Sequence, residues 1–171
     1  SLADPTTWWR NTTEVALAVP FGQSGARKPA VLRFDSEISA GALLVGRPGS
    51  GKSSLVHAFL ASACTLYSPE ELELYLIDFK EGVEFKAYAE HGLPHARAIA
   101  VQSEREFGLS VLESVVLELK RRAELLRATG GAQVSFAALR AASSEQLPRL
   151  VLVFDEFHVL FNEQDQIGLA A

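Results

Sequence analysis

The sequence is poor in cysteine, in basic residues and in long apolar runs. It has one cysteine, Cys64, so a disulfide framework is excluded and a reducing, cytoplasmic environment is expected. Acidic residues outnumber basic ones, 21 to 16, and the net charge of -5 argues against a broadly basic nucleic-acid surface, although a local basic channel can exist beneath it. No apolar run approaches membrane-spanning length and the first residues do not form a signal peptide, so any membrane attachment is expected outside this chain.

What the sequence does contain is a glycine-rich loop at 46–53, with the letters GRPGSGKS. It matches the pattern G-x-x-x-x-G-K-[ST] at every fixed position. The apolar run ALLV at 42–45 precedes it and predicts a buried strand, whereas apolar residues at helical spacing follow it from Ser54 to Tyr67. Strand, glycine loop and helix in this order are the setting in which the motif binds phosphate.

The residue types of this loop explain the predicted chemistry. Glycines let several backbone N–H groups point at one spot, and that spot lies at a helix N-terminus, which favours an anion. Lys52 is expected to reach the β- and γ-phosphates of ATP, and the Ser53 hydroxyl to hold Mg²⁺. An ordinary glycine turn is the alternative. The predicted nucleotide-binding residues are Gly46, Arg47, Pro48, Gly49, Ser50, Gly51, Lys52, Ser53 and Ser54.

A second candidate half-site is an apolar strand that ends in two acids, RLVLVFDE at 149–156. Asp155 is expected to hold Mg²⁺, directly or through water, next to Ser53, and Glu156 to act as general base on the attacking water, with Lys52 as its catalytic partner. A solvated acidic turn is the alternative. Because a base follows the metal-binding acid at once, the pattern favours nucleotide hydrolysis over transfer to a small substrate.

The order of the remaining elements predicts the fold class. Two strand-like runs at 14–20 and 30–35 predict a β-hairpin packed on the core. After the glycine loop, strands are predicted at 72–79, 96–101 and 150–154, with helices between them. This alternation indicates an α/β domain with a mainly parallel sheet and helices on both faces, whose ligand lies at the C-terminal ends of the strands.

The longest predicted helix follows a capping box formed by Ser103 and Glu106 and ends at Gly130-Gly131. Its spacing predicts one buried side. The residues expected on that side are Phe107, Leu109, Leu112, Val115, Val116, Leu119 and Leu126.

Several other residues have a structural and a functional interpretation. One of the adjacent rings Trp8 and Trp9 is expected to pack on the domain, with an adenine platform as the alternative. His91 and His95 are four residues apart, but the Gly and Pro between them break the helix that would align them, so a packing role is favoured over a metal site. Cys64 is expected to be a buried, inert thiol.

Six stretches, in this order along the chain, make the sequence resemble the FtsK/SpoIIIE (FtsK–HerA) group of P-loop motor ATPases. The I-D-F-K, L-P-H and L-x-x-R-R elements make the resemblance specific, because the phosphate loop is shared by many families. The stretches are VPFG at 19–22, GRPGSGKSS at 46–54, LIDFK at 76–80, LPH at 93–95, ELKRR at 118–122, and LPRL at 147–150 running into DEF at 155–157.

The resemblance implies a RecA-like P-loop NTPase core that hydrolyses ATP as a homo-hexameric ring, with ATP between neighbouring subunits. An arginine of one subunit would reach the phosphate held by the next, and Arg97, Arg105, Arg121 and Arg122 are the candidates. Asp78 and Lys80 are either intersubunit or second-layer groups or an ion pair at the sheet edge.

Members of this group translocate double-stranded DNA, which is the function expected first. Type VII secretion relatives (EccC/EssC-like) instead serve protein export, which is the alternative. A module that binds nucleotide or partners without turnover is a third possibility, disfavoured because Lys52, Ser53, Asp155 and Glu156 are all in place.

The resemblance also implies a further strand after the acidic motif, and the chain reaches Ala171 without one. We therefore expect part of a longer protein, with the C-terminal part of the core missing. The expected organisation is a polar segment with a β-hairpin at 1–40, and an incomplete P-loop ATPase core at 41–171.

Overall fold

The computed structural model describes residues 4–35, 40–79, 83–100, 105–130 and 135–161. The chain forms two compact units that alternate along the sequence. The first unit is Ser1–Leu72 with Gln133–Arg149, and the second is Glu73–Ala132 with Leu150–Ala171. The predicted boundary near residue 40 falls inside the first unit. Within the described ranges, no helix is both long and apolar enough to cross a membrane.

The first unit begins with the β-hairpin that the sequence predicts. Strand β1 (Leu17–Ser24) pairs antiparallel with β2 (Lys28–Phe34), from Leu17 opposite Phe34 to Ser24 opposite Lys28. The register shifts between Pro20 and Gly22, where proline cannot donate a backbone hydrogen bond to the ladder. Both strands lie closer to the hairpin turn than the predicted runs at 14–20 and 30–35. The strands pair through the polar residues that flank the turn, which the apolar pattern did not include.

Helix α1 (Lys52–Leu66) packs against this hairpin. Phe59, Leu60 and Ala63 form its buried side, and the Phe59 ring meets Phe34 edge-on with the centroids 6.1 Å apart. Beyond the helix end, the Tyr67 hydroxyl donates to the Ala18 carbonyl at 3.0 Å and accepts from the Ala18 N–H at 3.0 Å. The apolar spacing after the glycine loop therefore predicted the helix correctly.

A charged clamp also holds the first unit together. Glu71 accepts two hydrogen bonds from Arg140, at 2.7 and 2.8 Å, and a third from the Thr13 N–H at 2.7 Å. Hydrogen bonding from Arg140, together with that from Thr13, lowers the pKa of the Glu71 carboxyl to about 2, against the opposing effect of burial. Arg140 lies on the short helix α4 (Phe136–Ala142), whose N-cap Ser135 accepts a hydrogen bond from the Ala138 N–H.

The predicted strand at 42–45 is not formed. Residues 41–47 have no regular secondary structure, and Leu43, Leu44 and Val45 are 72%, 43% and 80% exposed. An apolar run becomes a strand only where a neighbouring strand takes up its N–H and C=O groups. Among the described residues, neither the hairpin nor the three-stranded sheet includes this run.

The parallel sheet has the order β4-β3-β5 and is made of β3 (Leu72–Asp78), β4 (Ala96–Ala100) and β5 (Arg149–Asp155). β3 and β4 are parallel, with Ile77 opposite Ala100. The short helix α2 (Lys86–His91) leads into β4, and α3 (Arg105–Thr129) leads out of it. A buried cluster joins the sheet to α3. Its members are Tyr75, Ile77, Phe79, Ala100, Val111 and Val115.

The predicted buried side of α3 is only partly correct. Val115 is buried, but Phe107, Val116 and Leu119 are 43%, 48% and 54% exposed. Gly108 rather than Phe107 meets the sheet, against the Phe79 ring. A helix of 25 residues is ~37 Å long, whereas strands of five to seven residues extend only ~17–23 Å, so the sheet covers about half of α3.

Candidate nucleotide-binding site

The glycine loop has the backbone conformation that its sequence requires. Gly49 and Gly51 have φ values of 75° and 90°, in the left-handed region that favours glycine. Between them the Ser50 N–H donates to the Arg47 carbonyl at 3.1 Å, which closes a tight turn. Residues 46–51 of the loop are exposed and Lys52 and Ser53 are half-buried, so the loop is open to a ligand from solution.

The loop ends at the N-terminus of α1. Gly51 is the N-cap and its carbonyl accepts the first helical hydrogen bond, from the Leu55 N–H at 3.0 Å. Because glycine has no side chain, no side-chain cap covers the N–H groups of the first turn. The positive end of the helix dipole and these N–H groups favour an anion at this point.

Lys52 lies over the loop that precedes it. Its Nζ donates to the Gly46 carbonyl at 2.9 Å and to the Arg47 carbonyl at 3.3 Å. A Cβ on Gly46 would lie 2.6 Å from the Ser50 Oγ, so a side chain at this position would crowd the turn. The structure thus brings the ammonium group and the glycine turn together. The contacts of all nine predicted loop residues with a nucleotide remain predictions.

The acidic residues of the second unit lie at the ends of strands, as predicted. Asp155 ends β5, and its backbone carbonyl accepts from the Phe79 N–H at 3.4 Å, just beyond the end of β3. The next residue, Glu156, has a φ of 54°, which a residue other than glycine adopts rarely. The carboxyl ends of two neighbouring strands therefore present their acids at one edge.

Negative charge is concentrated at this edge. Burial raises the pKa of the Asp155 carboxyl, and the nearby carboxylates of Asp78, Glu156 and Glu84 raise it further. Asp78 is 1% exposed and its Oδ2 accepts a hydrogen bond from the Glu84 N–H at 3.1 Å. A hard divalent cation would relieve this repulsion, so the donor set fits Mg²⁺. Lys80, predicted to pair with Asp78 or to serve another subunit, lies outside the described residues.

The protein does not by itself form a closed metal cage. In the described part of the chain, no three His, Cys, Asp or Glu side chains are grouped so that they could hold a metal ion. Mg²⁺ is usually bound by one or two carboxylates together with substrate phosphates and water, so one acid such as Asp155 suits a nucleotide-dependent site. His91, whose Nδ1 lies 2.8 Å from the Ala87 carbonyl, belongs to no such group.

The sequence did not predict a role for His158. Its Nδ1 lies 3.2 Å from the Glu156 Oε2, within the 3-10 turn Phe157–Phe161. Phe79, Glu156, His158 and Val159 line an open cavity of about 330 Å³. The only available signal was a titratable residue two positions after the acid pair, which is too common to interpret without a structure.

Two of the candidate arginines are held within their own helix. Arg121 forms two hydrogen bonds to Glu118, at 2.7 and 2.8 Å, and Arg122 forms one at 2.6 Å. These bonds lower the pKa of the Glu118 carboxyl to about 2. Either arginine would have to leave Glu118 to reach a neighbouring subunit, and that role stays a prediction for Arg97 and Arg105 as well.

Trp9 and Cys64 meet near the C-terminal end of α1. The Trp9 Nε1 donates to the Cys64 carbonyl at 3.0 Å, while the two indoles remain 38% (Trp8) and 48% (Trp9) exposed. The Trp9 indole is therefore hydrogen-bonded to the domain. Cys64 is half-buried rather than buried as predicted, and this partial burial raises the pKa of its thiol to about 12, so the reactive thiolate is disfavoured.

The loop sequence GRPGSGKS before a helix, in an α/β fold with a parallel sheet, is typical of the P-loop nucleoside triphosphate-binding class. The model of the FtsK/SpoIIIE family matches residues 1–168, and the chain belongs to this family. It is similar to a solved structure, the cytoplasmic domain of the Thermomonospora curvata type VII secretion ATPase EccC. The identity is 32% and the TM-score 0.69, over 90% of this chain and 19% of that one.

Curated relatives carry similar names. The chain is 34% identical over 174 residues to the ESX-4 secretion system protein EccC4 of Mycobacterium tuberculosis, which covers 95% of this chain and 14% of that protein. It is 31% identical over 186 residues to the ESX-1 secretion system protein EccCa1 of the same species, which covers 96% of this chain and 25% of that protein. The chain therefore spans a small part of the length of the relatives it matches.

Proposed function

We propose that this chain binds and hydrolyses ATP as a motor domain of the type VII secretion kind. The observation that carries the proposal is the phosphate loop, where left-handed glycines lead into an uncapped helix N-terminus and Lys52 lies over the turn. Its membership of a P-loop ATPase family supports the same chemistry.

Each candidate residue has a definite part in this proposal. The N–H groups of 46–54 and the Lys52 ammonium bind the phosphates, and the Ser53 hydroxyl and Asp155 hold Mg²⁺. When bound there, Mg²⁺ would supply positive charge that offsets the charge on the phosphate oxygens. Glu156 accepts the proton of the attacking water while the oxygen bonds to the γ-phosphorus and the bond to ADP breaks.

Protein export is favoured over DNA translocation, which the motifs had led us to expect first. The relatives reported above are named as secretion proteins, and none of them is named as a DNA translocase. A net charge of -5 also gives no general attraction for a polyanion. The homo-hexameric ring, the secreted protein substrate and the cytoplasmic location belong to the same proposal and rest on the resemblance.

ATP binding and turnover by the intact protein test the chemical part of the proposal. We expect Lys52→Ala to weaken ATP binding at least tenfold, because it removes a cation from the phosphates, and Glu156→Gln to retain binding but lose turnover. Lys86→Ala and Glu90→Gln are matched controls, since this exposed pair lies on α2. Equal turnover by wild type and Glu156→Gln would show that the base is assigned wrongly.

The export part is tested in cells. We expect a strain that carries Glu156→Gln to lose proteins from its culture medium, as compared with strains that carry wild type or Glu90→Gln. Quantitative proteomics of the medium measures this. An unchanged set of secreted proteins, with turnover lost, would leave an ATPase that does not drive export.

A further inference from the structure

The residue that we propose as general base is held in an uncommon conformation. Glu156 has a φ of 54°, and left-handed backbone costs a residue other than glycine about 1–2 kcal/mol. Such a conformation persists only where neighbouring groups determine it, and it is concentrated at functional sites. The contacts that hold Glu156 in this conformation therefore indicate how its side chain is used.

Both backbone groups of Glu156 are engaged locally. Its N–H donates to the Asp155 Oδ1 at 3.1 Å, and its carbonyl accepts from the Val159 N–H at 3.1 Å, where the 3-10 turn begins. These two bonds set the direction in which the side chain leaves the backbone. They do not fix the outer torsions, which place the carboxylate oxygens.

His158 contacts the Glu156 carboxylate, which the backbone hydrogen bonds do not position. Its Nδ1 is 3.2 Å from the Glu156 Oε2, and the Glu156 side chain is 30% exposed. We propose that His158 is a positioning residue, which orients the Glu156 carboxylate toward the attacking water in the ATPase reaction. The inference rests on the proposed function, because it gives Glu156 the role of base.

The geometry favours orientation over inhibition. The two residues are two positions apart on one short turn, so their contact requires no other element and no ligand. A local contact of this kind orients the carboxylate throughout the catalytic cycle, whereas an inhibitory contact would have to break during each turnover. Because the imidazole is 66% exposed, we expect its effect on rate to be modest.

The test is steady-state ATP hydrolysis by the intact protein with His158→Ala and His158→Gln. We expect His158→Ala to lower kcat roughly 2- to 5-fold with KM for ATP unchanged, which is the range of one exposed polar contact. His158→Gln, which keeps a donor, should recover part of the loss. His91→Ala is the matched control, since His91 is exposed on α2.

A double mutant separates positioning from a general structural effect. With Glu156→Gln already present, turnover is lost and ATP binding is the remaining readout, and we expect His158→Ala to leave the affinity for ATP unchanged, because a positioning residue acts only through the Glu156 carboxylate. An increase in kcat in His158→Ala would overturn the proposal and make the contact a brake, and an unchanged kcat would overturn it as well. Loss of activity in His158→Ala with a matching loss of ATP binding would assign His158 a structural role.

These outcomes are distinct from failure of the proposed function. If wild type itself shows no turnover, or if Glu156→Gln is as active as wild type, the assignment of the base has failed. If Glu156→Gln is inactive and His158→Ala behaves as wild type, only the positioning role has failed.

Discussion

At the scale of single residues, Gly51 is the position that most clearly requires glycine. Its φ of 90° belongs to a region where a Cβ costs about 1–2 kcal/mol, and it directly precedes the first turn of α1. We expect Gly51→Ala to weaken ATP binding about tenfold or more, because relaxation of the strain redirects the N–H groups. Isothermal titration with ATP measures the change.

Two other glycines serve as controls that separate an effect on ATP binding from a general effect of backbone strain on stability. Gly25→Ala introduces similar strain, at a φ of 69°, in the hairpin turn, so it should lower stability and leave ATP binding intact. Gly41→Ala meets nothing within 4 Å and should change neither property. Unaltered ATP binding by Gly51→Ala would contradict the role assigned to the helix N-terminus.

Sequence motifs predicted some residues well and others not at all. Lys52 and the loop glycines follow from a pattern in which each residue type has one geometric purpose. The contact of His158 with Glu156 depends on a left-handed backbone at a residue that rarely adopts it. No propensity or spacing would have indicated that conformation.

At the scale of elements, the packing of α3 on the sheet depends on Gly108. A Cβ there would lie 2.4 Å from the Phe79 ring. We expect Gly108→Ala to lower the free energy of unfolding by about 1–3 kcal/mol, because overpacking outweighs the gain in helix propensity. Chemical denaturation of the intact protein measures this.

The matched control on the same helix is Ser110→Ala, at an exposed position, which should be neutral or slightly stabilising. Phe79→Leu combined with Gly108→Ala should recover part of the lost stability, since a smaller side chain makes room. A fully stable Gly108→Ala would mean that α3 does not approach the sheet as described.

The clamp between Glu71 and Arg140 gives the first unit a pH-dependent stability. The pKa of Glu71 is lowered from its ordinary value of 4.5 to about 2, so its contribution is complete above the ordinary value and is lost as the pH falls toward 2. We expect Glu71→Gln to lower the free energy of unfolding by about 1–2 kcal/mol near neutral pH, allowing for partial solvation. It should also reduce the loss of stability that wild type shows as the pH falls below 4.5.

Urea denaturation at several pH values measures the effect of Glu71→Gln. Glu90→Gln is its control, because the pair of Glu90 with Lys86 is well exposed and should contribute little. If the two variants lost stability equally as the pH falls, Glu71 would not be the group responsible for the pH dependence.

Element predictions succeeded where the local pattern and the packing agreed. The hairpin, α1 and the three sheet strands were predicted because their apolar residues alternate, recur at the helical period or form short continuous runs. The run at 42–45 has an equally apolar pattern and is not a strand, because a strand also requires a hydrogen-bonding neighbour. Burial along α3 was overestimated for a similar reason, since helical periodicity does not reveal where the sheet ends.

At the scale of the whole molecule, the motifs predicted the family but not the polymer. The I-D-F-K and L-x-x-R-R elements are consistent with both DNA translocases and secretion ATPases, so residue patterns alone could not separate them. The named relatives favour secretion. A motor that moves DNA differs from one that exports protein in its surface charge and in the partners that it binds away from the nucleotide site. The motifs do not encode these properties.

ATP turnover by the intact protein, measured with and without linear double-stranded DNA, tests the central claim most directly. A secretion ATPase of this family should turn over ATP in the presence of Mg²⁺ at a rate that DNA does not change. Turnover that rises several-fold with DNA would contradict protein export and restore the DNA translocase. No turnover in either condition would contradict the assignment of Lys52, Asp155 and Glu156 as a hydrolytic site.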